Sequence, residues 1–359
     1  FDLGALSNGP APFDKAQAQH FALLYSYGLG VSTPSAWGTG LKHLITPIST
    51  MNLPSLTAAQ RFGKTIFKRR FASMHVDTLK ATFEKDSWAK ADGQLKGTGK
   101  FTDNISKETV NAAYNAASLT LAANAVQGSD AATRLDNVQR IRVKVPTTGE
   151  WQEVSYSAVS AATPAVITIS APGGVVTLTD YEILYTPTEA AWCTFPSRVT
   201  EPPLRVTDLV MKLGGKWNGS AFQGGRTLGA EIESIEHNLN NQMLIDYRVG
   251  GTGSYANSAV RQGRIQTLTL NRQLRDFILQ QAIKDNEYFG VYMKATGAEF
   301  EAGKNYYVEI MFPRCAVLKS PISVNGKILA EAGDLKVLED DTYGSVRVEV
   351  ANKVSGYAQ

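Results

Sequence analysis

Few residues in this 359-residue chain are spaced to do chemistry. The segment RFGKT, residues 61–65, holds the Gly-Lys-Thr that closes a phosphate-binding loop, where backbone N–H groups cradle phosphates and the lysine reaches them. The first glycine of that loop would fall at position 58, which is Ala58, and the flanks are polar and strand-like, so the match is fortuitous. Glu231, Glu233 and Glu236 lie on one strand-like stretch, with Glu231 and Glu233 on a common face. Paired carboxylates can hydrolyse a glycosidic bond, but two solvated carboxylates on a wet strand are the plainer reading. His20, His43, His75 and His237 are scattered, with no carboxylate or cysteine at ligand spacing. Cys193 and Cys315 are too few for a disulfide framework and form no C-x-x-C, so both are expected to be reduced and buried. No G-x-S-x-G elbow occurs, and Trp37, Trp88, Trp151, Trp192 and Trp217 are spread along the chain. The sequence assigns no catalytic, cofactor-binding or metal-ligating residue. The expectation is a protein that is not an enzyme and carries no cofactor.

Composition narrows the partners. With 36 basic against 33 acidic residues the net charge is +3, too mild to argue for a nucleic-acid-binding surface. The densest basic run, Lys68, Arg69 and Arg70, reads as a charged strand edge that discourages aggregation. A content of 43% hydrophobic and 19% charged residues fits a folded, soluble chain. No apolar run approaches the ~18 residues that cross a bilayer, and none has the pattern of a signal peptide, so no membrane partner is expected.

The elements that would carry a functional surface are strands. In residues 78–85, Leu79, Ala81 and Phe83 alternate with Thr78, Lys80, Thr82 and Glu84. The segment KADGQ supplies Asp92-Gly93 as the turn, and Leu95, Gly97, Gly99 and Phe101 then alternate with Gln94, Lys96, Thr98 and Lys100. A period of two on both arms predicts one packed face and one wet face. Lys80, Thr82, Glu84, Lys96 and Thr98 are therefore the candidate solvent- or lumen-facing positions. Residues 105–127 are alanine-rich and predict a helix ended by Gly128. RIRVKV, AVITIS, VVTLT and YEILYTP then read as short strands separated by turns. From Leu204 onward long strands return, interrupted by a helical stripe of Leu274, Phe277, Ile278 and Ala282.

This makes the fold class mainly β. Four segments follow: an extended N-terminal arm at 1–60, with one short helix in AQHFALLYSYGLG; a first β unit with its helix at 61–128; a small all-β insertion at 129–190; and a second β unit with a helix at 191–359. LKGTGKF at 95–101 and VGGTGSY at 249–255 close hairpins of matching length and layout, which suggests a duplicated unit.

The lead-in HLITPIS…LPSLT, the hairpin HVDTLKATFEKDSWAKADGQLKGTGK, the later AEIESIEHNLNN…DYRVGGTG…RQGRIQTLTLNRQLRDFILQQAI and the closing YYVEIMFPRCAVLKSP…AGDLKVLEDDTYGSVRVEVAN resemble tail tube proteins of long-tailed bacteriophages. The resemblance spans residues 40–105 and 204–352. It implies tube-type β-sandwich or barrel units with flanking helices. It implies rings that stack into a tube, in which strands of neighbouring subunits join one barrel around a lumen that conducts DNA. The implied partners are other copies of the chain, the tape measure and tail terminator proteins, and DNA passing without sequence-specific binding. The implied location is the virion tail, assembled in the host cytoplasm. If the hairpins are duplicated, three chains supply the six units of a ring; otherwise six chains do. The alternatives are a distal tail or baseplate hub protein, and an extracellular β-sandwich that binds or cleaves carbohydrate.

Overall fold

The computed structural model describes residues 11–15, 17–62, 67–190, 193, 201–248, 255–326 and 328–357. Strands account for 58% of the structure and helices for 9%, so the protein is mainly β.

In chain order, β1 (Ala11–Lys15) precedes α1 (Ala18–Leu29), β2 (Gly30–Trp37), β3 (Gly40–Pro47), β4 (Leu56–Phe62), β5 (Phe67–Glu84) and β6 (Lys90–Gly97). Then come β7 (Phe101–Asp103), β8 (Ser106–Ala113), β9 (Ser118–Thr120), α2 (Ala131–Asp136), β10 (Val138–Lys144), β11 (Trp151–Glu153), β12 (Tyr156–Val159), β13 (Val166–Ile169) and β14 (Leu178–Tyr185). The chain continues through β15 (Leu209–Trp217), β16 (Phe222–Gln223), β17 (Arg226–Leu228), β18 (Ile232–Asn240), β19 (Met243–Asp246), β20 (Ser258–Arg261) and β21 (Ile265–Gln273). It closes with α3 (Ile278–Asp285), β22 (Tyr288–Glu301), β23 (Lys304–Lys319), β24 (Ile322–Asn325), β25 (Ile328–Val337) and β26 (Arg347–Asn352).

Two compact units share these elements: residues 1–58, 71–100 and 198–359 form the first, and residues 59–70 and 101–197 the second. In the first, β1, β6, β5, β18, β21, β25, β23, β22 and β15 pair in that order, all antiparallel. β23 changes neighbour along its length, pairing with β26 through Tyr307–Met311 and with β25 through Cys315–Lys319. The register against β22 shifts between these halves, at Pro313 on one strand and Gly290 on the other. Proline has no N–H for a ladder and is tolerated at such a bulge, where a strand can bend from one layer into the next. The second layer runs β23, β26, β3 and β2. Among the described residues no sheet closes into a barrel.

α1 fills the space that this bend encloses. Phe21, Leu24, Tyr25 and Leu29 are fully buried, and Ser26, Tyr27 and Gly28 are buried too, so the helix is covered on nearly every side. It packs among Leu79, Leu95, Leu239, Ile310 and Val348 in one core. A helix apolar around its whole circumference belongs in an interior. It stops at Gly30, whose φ of 110° only glycine adopts cheaply and where a Cβ would stand 2.5 Å from Ile48.

The second unit has its own core of Ile141, Val143, Ile167, Tyr181, Ile183 and Tyr185. Its sheets run β11-β10-β14-β8 and β12-β13-β9.

Several expectations are corrected. Residues 105–127 form strands β8 and β9, because β8 pairs with β14 from Ser106 to Ala113 and β9 with β13. Within β8 Lys107, Thr109 and Asn111 alternate with Glu108, Val110 and Ala112, a period of two that overrides alanine's helix propensity. Asp92-Gly93 lies inside β6, opposite Lys80 and Leu79, and the turn spans Lys85–Ala89 with Asp86 at φ 60°. The region 17–60 is no extended arm, since it contributes α1 to the core and β3 to the second layer. VVTLT is only partly strand: β14 begins at Leu178, and Val175 and Val176 are exposed. The helical stripe is shorter than expected, since α3 begins at Ile278 and Phe277 is 67% exposed.

The two similar hairpins are not built as two units. β5 and β18 lie side by side in one sheet, over one core, and β18 continues to β21 while β19 pairs with β20. The segment 61–128 divides between the units, and the second unit is larger than the expected insertion at 129–190.

Candidate functional site

The five candidate positions lie on or beside one sheet face. Two cross-strand rows define it: Lys90, Thr82, Glu236, Thr269 and Asp334, and next to them Asp92, Lys80, Asn238, Thr267 and Lys336. Every side chain in both rows is polar, across five strands. Behind them, Leu79, Ala81, Phe83, Ile235, Leu239, Leu268, Leu270 and Leu335 are all buried. Period-two alternation on every strand thus separates a core face from a wet one.

Charges on the wet face alternate and pair. Lys80 Nζ lies 3.6 Å from Glu236 Oε1, Lys319 Nζ lies 2.9 Å from Asp334 Oδ2, and the Asn271 amide donates to Ser234 Oγ at 2.9 Å. Half-exposed pairs of this kind contribute about 0–1 kcal/mol each, so they settle charge balance more than stability. Thr82 is half-buried between Lys90 and Glu236, and Glu84 is exposed at the end of β5.

Lys96 and Thr98 sit apart from that grid. The ladder shifts between Val76 and Thr78, leaving Asp77 as a buried bulge residue. Asp77 accepts a hydrogen bond from the Met243 N–H at 2.7 Å and pairs with Lys96 Nζ at 2.9 Å, so the bulge anchors β19. Thr98 lies past β6, where its carbonyl accepts from the Ala256 N–H at 3.1 Å, and lines a polar hollow with Ser73, His75, Asn52 and Tyr255.

The remaining sequence candidates fall in different places. RFGKT falls partly, and the Gly-Thr-Gly at 251–253 wholly, outside the described residues. Glu231 pairs with Arg226 at 3.3 Å while Glu236 pairs with Lys80, and a bulge falls between Ile232 and Ser234, so Glu231 and Glu233 form no carboxylate dyad. Cys193 and Cys315 are free and buried, and burial pushes the Cys315 thiol well above its ordinary range. Among the described residues no three His, Cys, Asp or Glu side chains converge to hold a metal.

The strongly displaced titrations lie off the polar face. His237 is buried on β18, hydrogen-bonded to Tyr25 Oη at 2.8 Å and Gln266 Oε1 at 3.2 Å, and burial pushes it down to about 4. Glu201 accepts from the Gln19 N–H at 3.2 Å at the start of α1, and burial pushes it up to about 7.

A second surface stands out at the end of the same sheet. β24 and the start of β25 form a hairpin that overshoots the core, with Val324 opposite Leu329 and Ile322 opposite Glu331. Glu331 is buried against Arg272, so this is the core-side face, yet Ile322, Val324 and Leu329 are 43%, 71% and 49% exposed.

Sequence reasoning missed Lys90 and Asp92 by assigning them to a turn, and it missed the contributions of β18, β21 and β25. The signal was present in IESIEHNLN, where Ser234, Glu236 and Asn238 alternate with Ile235, His237 and Leu239. No protein-family model matches the chain, and no curated protein matches it in sequence.

Proposed function

We propose that the chain is a structural subunit that polymerises with copies of itself, as stacked rings, into the tail tube of a long-tailed bacteriophage. The observation that carries this reading is the polar face: five antiparallel strands wet on one side, fully packed on the other, and free of any reactive cluster. A surface that lets a polyanion pass must be hydrated without gripping it. Each unpaired lysine or arginine that neutralises a phosphate adds affinity through counterion release, whereas lysines beside carboxylates add little. The pairing of Lys80 with Glu236, with Asp92 opposite Lys80 on the next strand, suits passage of DNA better than its capture.

Open strand edges and the uncovered hairpin support assembly. Unpaired edges and large apolar patches are liabilities unless a partner covers them. Copies of the chain are the first partner under this reading, with the tape measure and tail terminator proteins at the tube ends, in a virion tail assembled in the host cytoplasm. Negative-stain microscopy of concentrated purified protein tests the proposal: stacked rings or tubes are expected. Isolated rings that never stack would favour a baseplate hub, and single particles at every concentration would reject assembly altogether.

A further inference from the structure

Two arginines flank the Gln262-Gly263 turn between β20 and β21, and both reach the same main-chain oxygen. Arg261 Nη2 donates to Thr50 O at 2.9 Å and Ile48 O at 3.5 Å. Arg264 Nη2 donates to Ile48 O at 3.2 Å and Leu29 O, at the end of α1, at 3.4 Å. Arg261 is 8% exposed and Arg264 half-buried. Carbonyl groups satisfy some donors but bring no net charge, and neither guanidinium forms an ion pair with a carboxylate of the described residues. Arg261 Nη1 and Arg264 Nε are buried without a hydrogen-bond partner. Buried charges are ordinarily paired, and two like charges sharing one acceptor raise the cost of leaving them bare. Burial and mutual repulsion push Arg264 down to about 10, with Glu339 opposing that only through space.

We propose that Arg261 and Arg264 form a binding site for a small oxyanion, a sulfate, a phosphate or a carboxylate. The planar guanidiniums carry N–H donors of the kind that hold such a group, and the half-buried Arg264 is the more exposed of the two, the side from which an anion would reach the pair. The end of α1 and the 48–50 segment hold the site in shape. Glu339 acts as an intramolecular competitor, near enough to be felt by both arginines. The site is independent of the tube reading.

Thermal unfolding of the full-length chain tests this, with sodium sulfate or sodium acetate titrated at low millimolar concentration against sodium chloride of equal ionic strength. A saturable rise in Tm is expected for the wild type, and its loss in Arg264→Gln, which removes one fork and one buried charge. Saturation by sulfate alone assigns a tetrahedral anion, and saturation by acetate as well assigns carboxylates such as another copy's side chain. Glu339→Gln should saturate at lower anion concentration. Equilibrium dialysis of labelled sulfate against wild type and Arg264→Lys gives a second readout should the glutamine variant fold poorly, with weaker binding expected in the lysine variant. A rise that is linear and equal in wild type and variants, as general salt exclusion produces, would overturn the proposal, and so would loss of the effect in Glu339→Gln.

Discussion

Glu201 and His237 place opposite pH dependences on the same core. The native Glu201 carboxyl holds its proton up to about 7, against an ordinary value of 4.5. The folded state therefore binds more protons than the unfolded one across that window, so this contribution is complete below the ordinary value and is lost as pH rises through 7. His237, pushed down to about 4 from 6.5, does the reverse: its contribution is present above 6.5 and lost as pH falls through 4. Glu201→Gln keeps an acceptor for the Gln19 N–H and cannot ionise, so it should be the more stable chain at pH 8, by roughly 2–3 kcal/mol at most. Urea unfolding at pH 5 and pH 8 checks this. A wild-type advantage that grows with pH would reverse the assignment. Neither role is legible in the sequence, because an isolated His in IEHNL and a Glu before Pro202-Pro203 carry no sign of the helix that buries them.

At the scale of elements, the sequence is clearest where a period of two meets uninterrupted burial. Leu79, Ala81 and Phe83 face the core as their spacing predicts, with Phe83 6.3 Å from the Phe21 ring, centroid to centroid. Phe83→Asp buries an unpaired charge and should cost on the order of 4 kcal/mol or more, abolishing the folded state. Glu84→Gln, one residue away and exposed on the wet face, should change stability by less than about 0.5 kcal/mol. Circular dichroism melts of the pair decide it, since equal sensitivity would mean the two faces are not distinct. The hairpin of β24 and β25 calls for the opposite experiment. Val324→Lys with Leu329→Lys should leave Tm within a degree or two while preventing self-association, read by sedimentation velocity. Residues 105–127 were illegible for a physical reason. Alanine favours a helix and asparagine favours neither element, and the partner that overrides that local preference, β14, lies some 70 positions along the chain, Asn111 opposite Asp180. Asp92-Gly93 misled similarly: a favoured turn dipeptide sits mid-strand because the real turn, with Asp86 at φ 60°, comes earlier.

For the whole molecule, under the proposed tube reading, the number of copies around a ring would follow from how many tube-type units one chain contains. Two hairpins of equal length suggested two units and a ring of three. In the structure β5 and β18 are adjacent strands of one sheet, joined over Ser234–Asn240, and a single core built around α1 backs them both. On that reading, one such core per chain would supply one sheet to a shared barrel. The proposed family reading implies a lumen of six units, and a barrel closes only when strand number, tilt and stagger agree. Six chains are therefore expected in each ring, with β1 at one end of the sheet and β15, with its short partners β16 and β17, at the other as the edges that need covering. The second unit, with its separate core of Ile141, Tyr181 and Ile183, adds nothing to that count. A cross-section by cryo-electron microscopy decides between the two stoichiometries: six equivalent chain densities around the axis are expected. Three densities, each with two superposable cores, would overturn the single-unit reading of the chain.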